Sequence, residues 1–146
     1  MEKPARTVYL VHEMLARRWS PRAFAEKRPV EPETLHSLLE AARWAPSSSN
    51  EQPWRFVVAT REEPVGYDRF LACLLEGNRK WAYRAPVLIL SVARMDFEDD
   101  SRTNRHAFHD VGLATENLLL QATALGLVAH PMAGFDIEKA RADLKV

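Results

Sequence analysis

The chain is poor in cysteine, glycine and net charge, and each shortage excludes a class of site. Its single cysteine, Cys73, excludes an internal disulfide and any zinc or iron–sulfur centre that needs several cysteines. The five glycines are scattered, so no G-x-G-x-x-G motif and no phosphate-binding P-loop are present. Twenty Lys and Arg residues balance twenty Asp and Glu residues. Because a neutral chain lacks the field that attracts polyanions, we expect neither a nucleic-acid nor a membrane partner.

Long hydrophobic runs are also missing. The most apolar stretch, residues 111–129, contains Glu116, Asn117 and Gln121, which a bilayer-spanning helix rarely places in lipid. The first thirty residues hold no apolar segment followed by a small-residue cleavage site, as a secretory signal would. We therefore expect a cytoplasmic protein. With 47% hydrophobic residues and neither repeats nor linkers, the sequence predicts a single domain over residues 1–146.

Hydrophobic periodicity and helix-boundary residues predict five helical segments and three strands. The predicted helices cover residues 6–17, 31–45, 64–84 and 104–125, and a fifth follows Asp136 as its N-cap and is cut short by the end of the chain. The predicted strands cover residues 54–60, 86–92 and 127–132. The run at 86–92 is continuously apolar, which predicts a strand buried on both faces.

Two groups of potentially reactive side chains have a simpler interpretation. His106 and His109 lie three residues apart beside Asp110, a spacing that suits metal ligands, but no further Cys or His set accompanies them. The alternative, which we expect, is that the histidines are solvated at a helix start and the aspartate faces the positive end of the helix dipole. Cys73 lies among alanine and leucines, so we expect a buried, unreactive thiol and no metal site.

The segment Arg17-Arg18-Trp19-Ser20-Pro21-Arg22 concentrates three guanidinium groups and a hydroxyl within six residues. Arginine binds phosphate through two parallel hydrogen bonds, and a serine hydroxyl adds a neutral donor. The segment therefore suits an anion site. It equally suits a helix C-terminus whose arginines favour the negative end of the dipole.

A second polar segment, residues 45–54, places three serines, an asparagine and a glutamine between two prolines. Hydroxyl and amide groups match the donors and acceptors of a polar heteroaromatic edge. The alternative is an ordinary capped turn, because Ser and Asn are common turn residues. The segment connects a predicted helix to a predicted strand, which is a usual place for a ligand.

Read together, these segments resemble the nitroreductase family of flavin mononucleotide (FMN) enzymes. The resemblance is carried, in the family's order, by RRWSPRAF (17–24), PVEPETLHSLLEAARWAPSSSNEQPWRFVV (29–58), GNRKWAYRAPVLIL (77–90), HDVGLATENLLLQATALGL (109–127) and HPMAGFD (130–136). It implies an α+β, nitroreductase-like fold whose central, mainly antiparallel sheet is wrapped by helices. It also implies an intertwined homodimer with two flavin sites at the subunit interface.

Carried over by position, the resemblance gives the first segment a role at the flavin phosphate. Arg18 and Ser20 match the residues that hold the phosphate, and Trp19 matches a contact to the ribityl and phosphate region. Arg22 matches the basic residue near the N1/O2 edge of the flavin ring, where a cation stabilises the charge left by two-electron reduction. Trp81 stands where some relatives carry a lysine near the flavin.

The second segment and two later positions complete the implied flavin contacts. Ser47, Ser48 and Asn50 match residues that reach the flavin bound mainly by the other subunit, in a loop shaped by Pro46, while Gln52 is expected to be structural. Asn78 matches the amide that pairs with the pyrimidine edge. Ala133 and Gly134 match the pair whose backbone N–H groups approach N5 and O4, and glycine suits such a close approach. The aromatic set would line the pocket or pack in the core, and we expect core packing for most of it: Trp44, Trp81, Tyr83 and Phe108.

The implied reaction is a ping-pong transfer in which NADPH or NADH delivers hydride to flavin N5 and an electron-poor acceptor, such as a nitroaromatic, quinone or enone, then takes the electrons. No side chain is expected to be catalytic, because the flavin carries the chemistry. The alternatives are a flavin-binding module without turnover, which sequesters flavin or serves as a partner subunit, and a specialised dehalogenating or flavin-fragmenting relative. The family normally continues past the position of Val146 into a strand and a basic segment, so we expect a C-terminally short chain with weaker flavin binding.

Overall fold

A computed structural model describes residues 3–99 and 102–146 as a mixed helix and strand protein. Its elements follow the order α1 (Glu13–Arg17), α2 (Pro32–Arg43), a short 3-10 turn (Ser48–Asn50), β1 (Trp54–Thr60), α3 (Pro64–Cys73), α4 (Glu76–Ala82), β2 (Val87–Ala93), α5 (Ala107–Ala124) and α6 (Ile137–Leu144). The α+β prediction is confirmed. Within the described residues, no helix combines the length and the apolarity needed to cross a bilayer.

The strands β1 and β2 pair in a small antiparallel sheet. The N–H of Arg94 donates to the carbonyl of Pro53 at 2.9 Å, and the N–H of Arg61 donates to the carbonyl of Pro86 at 3.1 Å, so each strand begins where the other ends. The first strand has the predicted bounds. In β2 only Leu88 is buried, so the prediction of two buried faces is wrong. A continuous apolar run has no alternation that could distinguish a covered face from an open one.

The predicted strand over 127–132 is absent, and the described residues 127–134 adopt no regular structure. A strand needs a neighbouring strand for its N–H and C=O groups. Here the N–H of Leu127 donates to the carbonyl of Ala122 at 2.8 Å, and Pro131 has no N–H to donate. A single bridge, Leu74 to Phe135, follows this segment.

Two predicted helices are shorter than expected. The helix predicted over 6–17 forms only at Glu13–Arg17, and Val8 and Leu10 are 92% and 101% exposed. Most helix stability in proteins comes from packing of the apolar face, which these side chains lack within the described chain. The segment predicted at 64–84 divides into α3 and α4, because Leu74 and Leu75 are extended between them.

The remaining helix predictions are confirmed with small shifts in their bounds. Pro32 lies in the first turn of α2, Gly126 is left-handed just after α5, and Asp136 caps α6 by accepting the Lys139 N–H at 2.9 Å. The helix α6 ends at Leu144, and Lys145 after it is left-handed.

By its contacts the described chain forms two compact units. The first, which we call the helix unit, lies within Met1–Pro21, Glu31–Arg55 and Ala93–His130, and the second, the sheet unit, comprises Arg22–Val30, Phe56–Val92 and Pro131–Val146. The single domain over 1–146 stays a prediction.

In the helix unit α2 packs on α5 through small and aliphatic side chains, among them Leu38, Ala42, Ala114 and Leu118. The polar side chains in the middle of α5 form hydrogen bonds to α2. Asn117 donates to the carbonyl of Ala41 at 3.2 Å, and Gln121 donates to the Ser37 hydroxyl at 2.9 Å. Hydrogen bonds of this kind compensate amides that would be costly to bury alone.

The core of the sheet unit is formed by buried residues of β1, α3, the α4–β2 connection and β2: Ala59, Tyr67, Phe70, Ala85 and Leu88. The Tyr67 hydroxyl donates to the carbonyl of Ala85, and burial raises the pKa of this phenol. This bond satisfies the polar end of the tyrosine inside an apolar cluster.

The expected core packing is wrong for Trp44, Tyr83 and Phe108, which are 74%, 36% and 71% exposed. Trp44 lies at the C-terminal end of α2, where its indole N–H donates to Glu40 at 2.9 Å and the Arg43 guanidinium lies 5.3 Å from the centre of one of its rings. Hydrogen bonds from Arg43 and Trp44 lower the pKa of Glu40 to about 2. Trp44 therefore belongs to a polar surface cluster.

Candidate functional site

The arginine-rich segment lies directly after α1 in the helix unit. The N–H of Arg18 closes the helix by donating to the carbonyl of Met14 at 3.0 Å, and one guanidinium nitrogen donates to the Ser20 hydroxyl at 3.4 Å. Among the described residues Arg18 makes no ion pair with a carboxylate, and both side chains are half-buried. Trp19, between them, has the Lys3 ammonium 5.8 Å from a ring centre. The pair leaves most guanidinium donors and the serine proton available to an anion.

Arg22 is placed by aromatic side chains of the sheet unit. Its guanidinium carbon lies 5.9 Å from the centre of a Trp81 ring, and Trp81 stacks on Phe24 with ring centres 6.2 Å apart. Arg22 is exposed, and no carboxylate pairs with it in the described part of the chain. A cation held by a ring face keeps its N–H donors directed to its edges, where they can meet an anionic group.

The polar loop Ser47–Gln52 is held by its own side chains and by contacts with residues distant in sequence. The N–H of Gln52 donates to the Ser47 hydroxyl, and its side-chain amide donates to the Asn50 side chain, both at 3.0 Å. The N–H of Ser48 donates to the Asp110 carboxylate at 3.0 Å. The structural role expected for Gln52 is therefore seen, whereas the contact with Asp110 was not predicted.

Three residues of this loop have left-handed backbone angles although none is glycine. The φ values are 55° at Ser49, 56° at Asn50 and 52° at Gln52. Such conformations are uncommon outside glycine and persist where surrounding contacts enforce them. The loop, preceded by exposed Pro46, is thus held in one particular shape.

An ion-pair group fixes the end of the loop before β1. Glu51 pairs with Arg94, which also binds Glu98 at 3.0 Å, and the N–H of Glu98 donates to the Glu51 carboxylate at 2.9 Å. The carboxylates raise the pKa of Arg94. Sequence reasoning missed this group, because Glu51 lies more than forty positions before Arg94 and Glu98 and the three match no motif.

Asn78 and Gly134 come together in the sheet unit. The Asn78 side-chain amide donates to the carbonyl of Gly134 at 3.0 Å, and the N–H of Leu75 donates to the same oxygen at 3.1 Å. A Cβ at position 134 would lie 2.4 Å from the Asn78 amide nitrogen, closer than real Cβ atoms approach. The N–H groups of Ala133 and Gly134 donate to no group of the described chain, and Ala133 is exposed. The turn thus offers two backbone donors held by an asparagine.

The metal interpretation receives no support from the geometry. Asp110 is engaged by the Ser48 N–H, and His109 lies 3.3 Å from its other oxygen. No three His, Cys, Asp or Glu side chains are grouped to hold a metal within residues 3–99 and 102–146. Cys73 is buried as expected, its thiol donates to the carbonyl of Arg69, and burial raises the thiol pKa.

The predicted site residues therefore form separate groups within each unit. In the helix unit Arg18 joins Ser20, and Ser47 and Asn50 are joined through Gln52. In the sheet unit Asn78 joins Gly134, with Arg22 held separately on Trp81.

Comparison with known proteins gives one consistent result. Residues 15–146 match the sequence model of the nitroreductase family. A protein of Xanthomonas oryzae pv. oryzae, provisionally named an NADH dehydrogenase/NAD(P)H nitroreductase, is 34% identical over 135 residues, which cover 80% of this chain and 67% of that protein. An uncharacterized 15.4 kDa protein of Mycolicibacterium smegmatis is 42% identical over 91 residues, which cover 58% of this chain and 60% of that protein.

Among solved structures, an oxidoreductase described as containing FMN superimposes with a TM-score of 0.91 at 37% identity, over 97% of this chain and 72% of that one. The chain thus spans 60% to 67% of the two curated relatives named above. The family match covers far more than half of the sequence and the fold agrees with it. This chain belongs to the nitroreductase family.

Proposed function

We propose that the chain is an FMN-dependent oxidoreductase that passes hydride from NADPH or NADH to an electron-poor acceptor such as a nitroaromatic, quinone or enone. The observation that carries the proposal is the Ala133–Gly134 turn. Its two backbone N–H groups are unused by the described chain, and Asn78 occupies the space that a side chain at position 134 would need. Family membership and the FMN-containing structural neighbour support flavin as the ligand of this turn.

The residues present fit FMN in charge and in hydrogen-bonding groups. Arg18 and Ser20 are proposed to bind the phosphate, because a guanidinium with free donors and a neighbouring hydroxyl suit a dianion, and Trp19 to contact the adjoining ribityl region. Arg22 is proposed to lie at the N1/O2 edge of the ring. Its position against Trp81 limits its freedom, so its charge is oriented before the ligand arrives.

The polar loop is proposed to supply the contacts expected of Ser47, Ser48 and Asn50. Asn50 is exposed and keeps its amide N–H groups, since only its side-chain oxygen is used by Gln52. The Ser47 oxygen accepts the Gln52 N–H, which leaves the hydroxyl proton for a ligand. Pro46 restricts the entry of the chain into this loop.

When bound, FMN supplies a hydride acceptor at N5 and so connects two successive half-reactions in a ping-pong sequence. The chain's own part is binding and orientation: the N–H groups of Ala133 and Gly134 donate toward N5 and O4, Asn78 contributes its remaining amide groups to the pyrimidine edge, and Arg22 stabilises negative charge. No side chain is proposed as an acid or base.

We further propose that the two units act as a single domain and that the active form is a homodimer in the cytoplasm. Large apolar side chains are exposed on the helix unit at Val8, Leu10 and Phe108. Exposed apolar surface of this kind commonly marks a protein–protein contact, and a second copy of the chain would cover it.

Titration of the purified 146-residue chain with FMN tests the proposal, followed by anaerobic addition of NADPH or NADH. The proposed function requires bound flavin that loses its oxidised absorption on addition of a nicotinamide and regains it with a quinone. Failure to bind FMN at micromolar protein overturns it. Bound flavin that neither nicotinamide reduces supports the alternative of a flavin-binding module without turnover.

A further inference from the structure

Asp110 is a buried carboxylate that contacts a loop distant in sequence. It lies in the first turn of α5 with 3% of its surface exposed. One carboxylate oxygen accepts the Ser48 N–H at 3.0 Å across 62 positions of sequence. The other lies 3.3 Å from the exposed His109 ring. A buried carboxylate is tolerated where donors and a helix N-terminus compensate its charge.

The loop that receives this contact needs an external restraint. Ser49, Asn50 and Gln52 are left-handed, a conformation in which side chains crowd the backbone. The internal hydrogen bonds link Ser47 to Gln52 and Gln52 to Asn50, but they do not attach the loop to a neighbouring element. The ion pair of Glu51 with Arg94 attaches the C-terminal end of the loop. The bond from the Ser48 N–H to α5 attaches the loop at the position where the 3-10 turn begins.

We propose that Asp110 is a positioning residue for cofactor binding: its carboxylate holds the Ser48 backbone and thereby fixes the strained loop whose side chains contact FMN. The inference rests on the proposed function, since it concerns the same loop. Metal ligation, compensation of the helix dipole and core packing would not give Asp110 this positioning role. The residue acts through Ser48 and does not itself contact the ligand.

The test compares Asp110→Ala and Asp110→Asn with a matched control, Glu116→Ala, an exposed acid on the same helix. Hydrogen exchange of the flavin-free chain reports on the loop, and FMN titration reports on binding. Because charged hydrogen bonds are the stronger ones, we expect Asp110→Ala to speed exchange at Ser48 about tenfold and to raise the FMN dissociation constant by about tenfold. The asparagine oxygen still accepts the N–H, so Asp110→Asn should show smaller changes in the same direction.

A role limited to general stability would speed exchange throughout the α2 and α5 peptides, whereas the inference requires a change confined to the loop. Unchanged exchange at Ser48, or faster exchange with unchanged FMN affinity, overturns it. If Asp110→Ala does not fold, Asp110→Asn decides on the same two readouts. A wild-type chain that does not bind FMN would refute the proposed function, and the exchange data alone would then decide whether Asp110 orders the loop.

Discussion

The absence of a side chain at position 134 allows an asparagine from α4 to reach the backbone. Asn78 and the N–H of Leu75 both bind the carbonyl of Gly134, so the following turn is held by two donors. A shared acceptor of this kind fixes the plane of the peptide group. That peptide group joins Gly134 to Phe135 and directly follows the N–H of Gly134, which we propose faces the flavin.

Gly134→Ala should weaken FMN binding by about tenfold, because its Cβ would displace the Asn78 amide from hydrogen-bond distance and a tenfold change corresponds to about 1.4 kcal/mol. Titration with FMN measures the effect. The double variant Asn78→Ala/Gly134→Ala has no amide to displace, so it should bind no worse than Asn78→Ala alone. Fully additive losses would show that position 134 acts independently of Asn78.

Arg18 permits a test that separates the phosphate from the rest of the cofactor. Arg18→Ala should raise the FMN dissociation constant by about tenfold or more, since charged hydrogen bonds to phosphate would be lost. Riboflavin, which lacks the phosphate, should bind the variant and the wild type equally. Arg105→Ala, which removes another arginine from the helix unit, is the control. Equal losses for FMN and riboflavin would refute the phosphate assignment.

At the scale of elements, helix boundaries that depend on local contacts were predicted correctly from single residues in the sequence. Proline at the start of α2, glycine after α5 and aspartate before α6 all lie where the sequence placed them. Elements that depend on distant partners were predicted less well. The third strand lacks a neighbour, and the break at Leu74 and Leu75 coincides with their contacts to the turn at Phe135 and Gly134.

The helix α6 gives the clearest test of such a local signal. Asp136→Ala should lower the free energy of unfolding by about 1 kcal/mol, because the N-cap carboxylate accepts the Lys139 N–H. Urea unfolding followed by circular dichroism measures the change. Glu138→Ala is the control, since its exposed ion pair with Arg141 spans 3.4 Å and contributes little. A loss no greater than that of the control would argue against the cap.

In the candidate site, too, short motifs were predicted from the sequence and contacts between distant residues were not. The resemblance to a family identified the arginine segment, the polar loop, Asn78 and the glycine turn from short motifs. The contact between Asp110 and Ser48 has no sequence signature, because its partners come from a helix and a loop that folding alone brings together. The sequence did not predict the loop's left-handed angles either, since Ser49 and Gln52 are residue types that rarely adopt them and only Asn50 is of a type enriched there.

At the scale of the whole molecule, each of the two compact units contains residues that we propose contact FMN. The helix unit carries the arginine–serine pair and the strained loop, and the sheet unit carries Arg22, Asn78 and the glycine turn. The exposed apolar side chains of the helix unit form the surface that we propose a second copy of the chain covers. Sedimentation equilibrium should therefore give a dimer mass for the FMN-loaded chain, and a monomer at all concentrations would contradict the proposed assembly.

The central claim is that this chain binds FMN and uses it to accept hydride from a nicotinamide. Anaerobic addition of NADPH or NADH to the FMN-loaded chain tests it most directly, with the absorption of oxidised flavin as the readout. We predict that one of the two nicotinamides abolishes this absorption and that a quinone restores it. A chain that retains no FMN, or bound flavin that neither nicotinamide reduces, would contradict the claim.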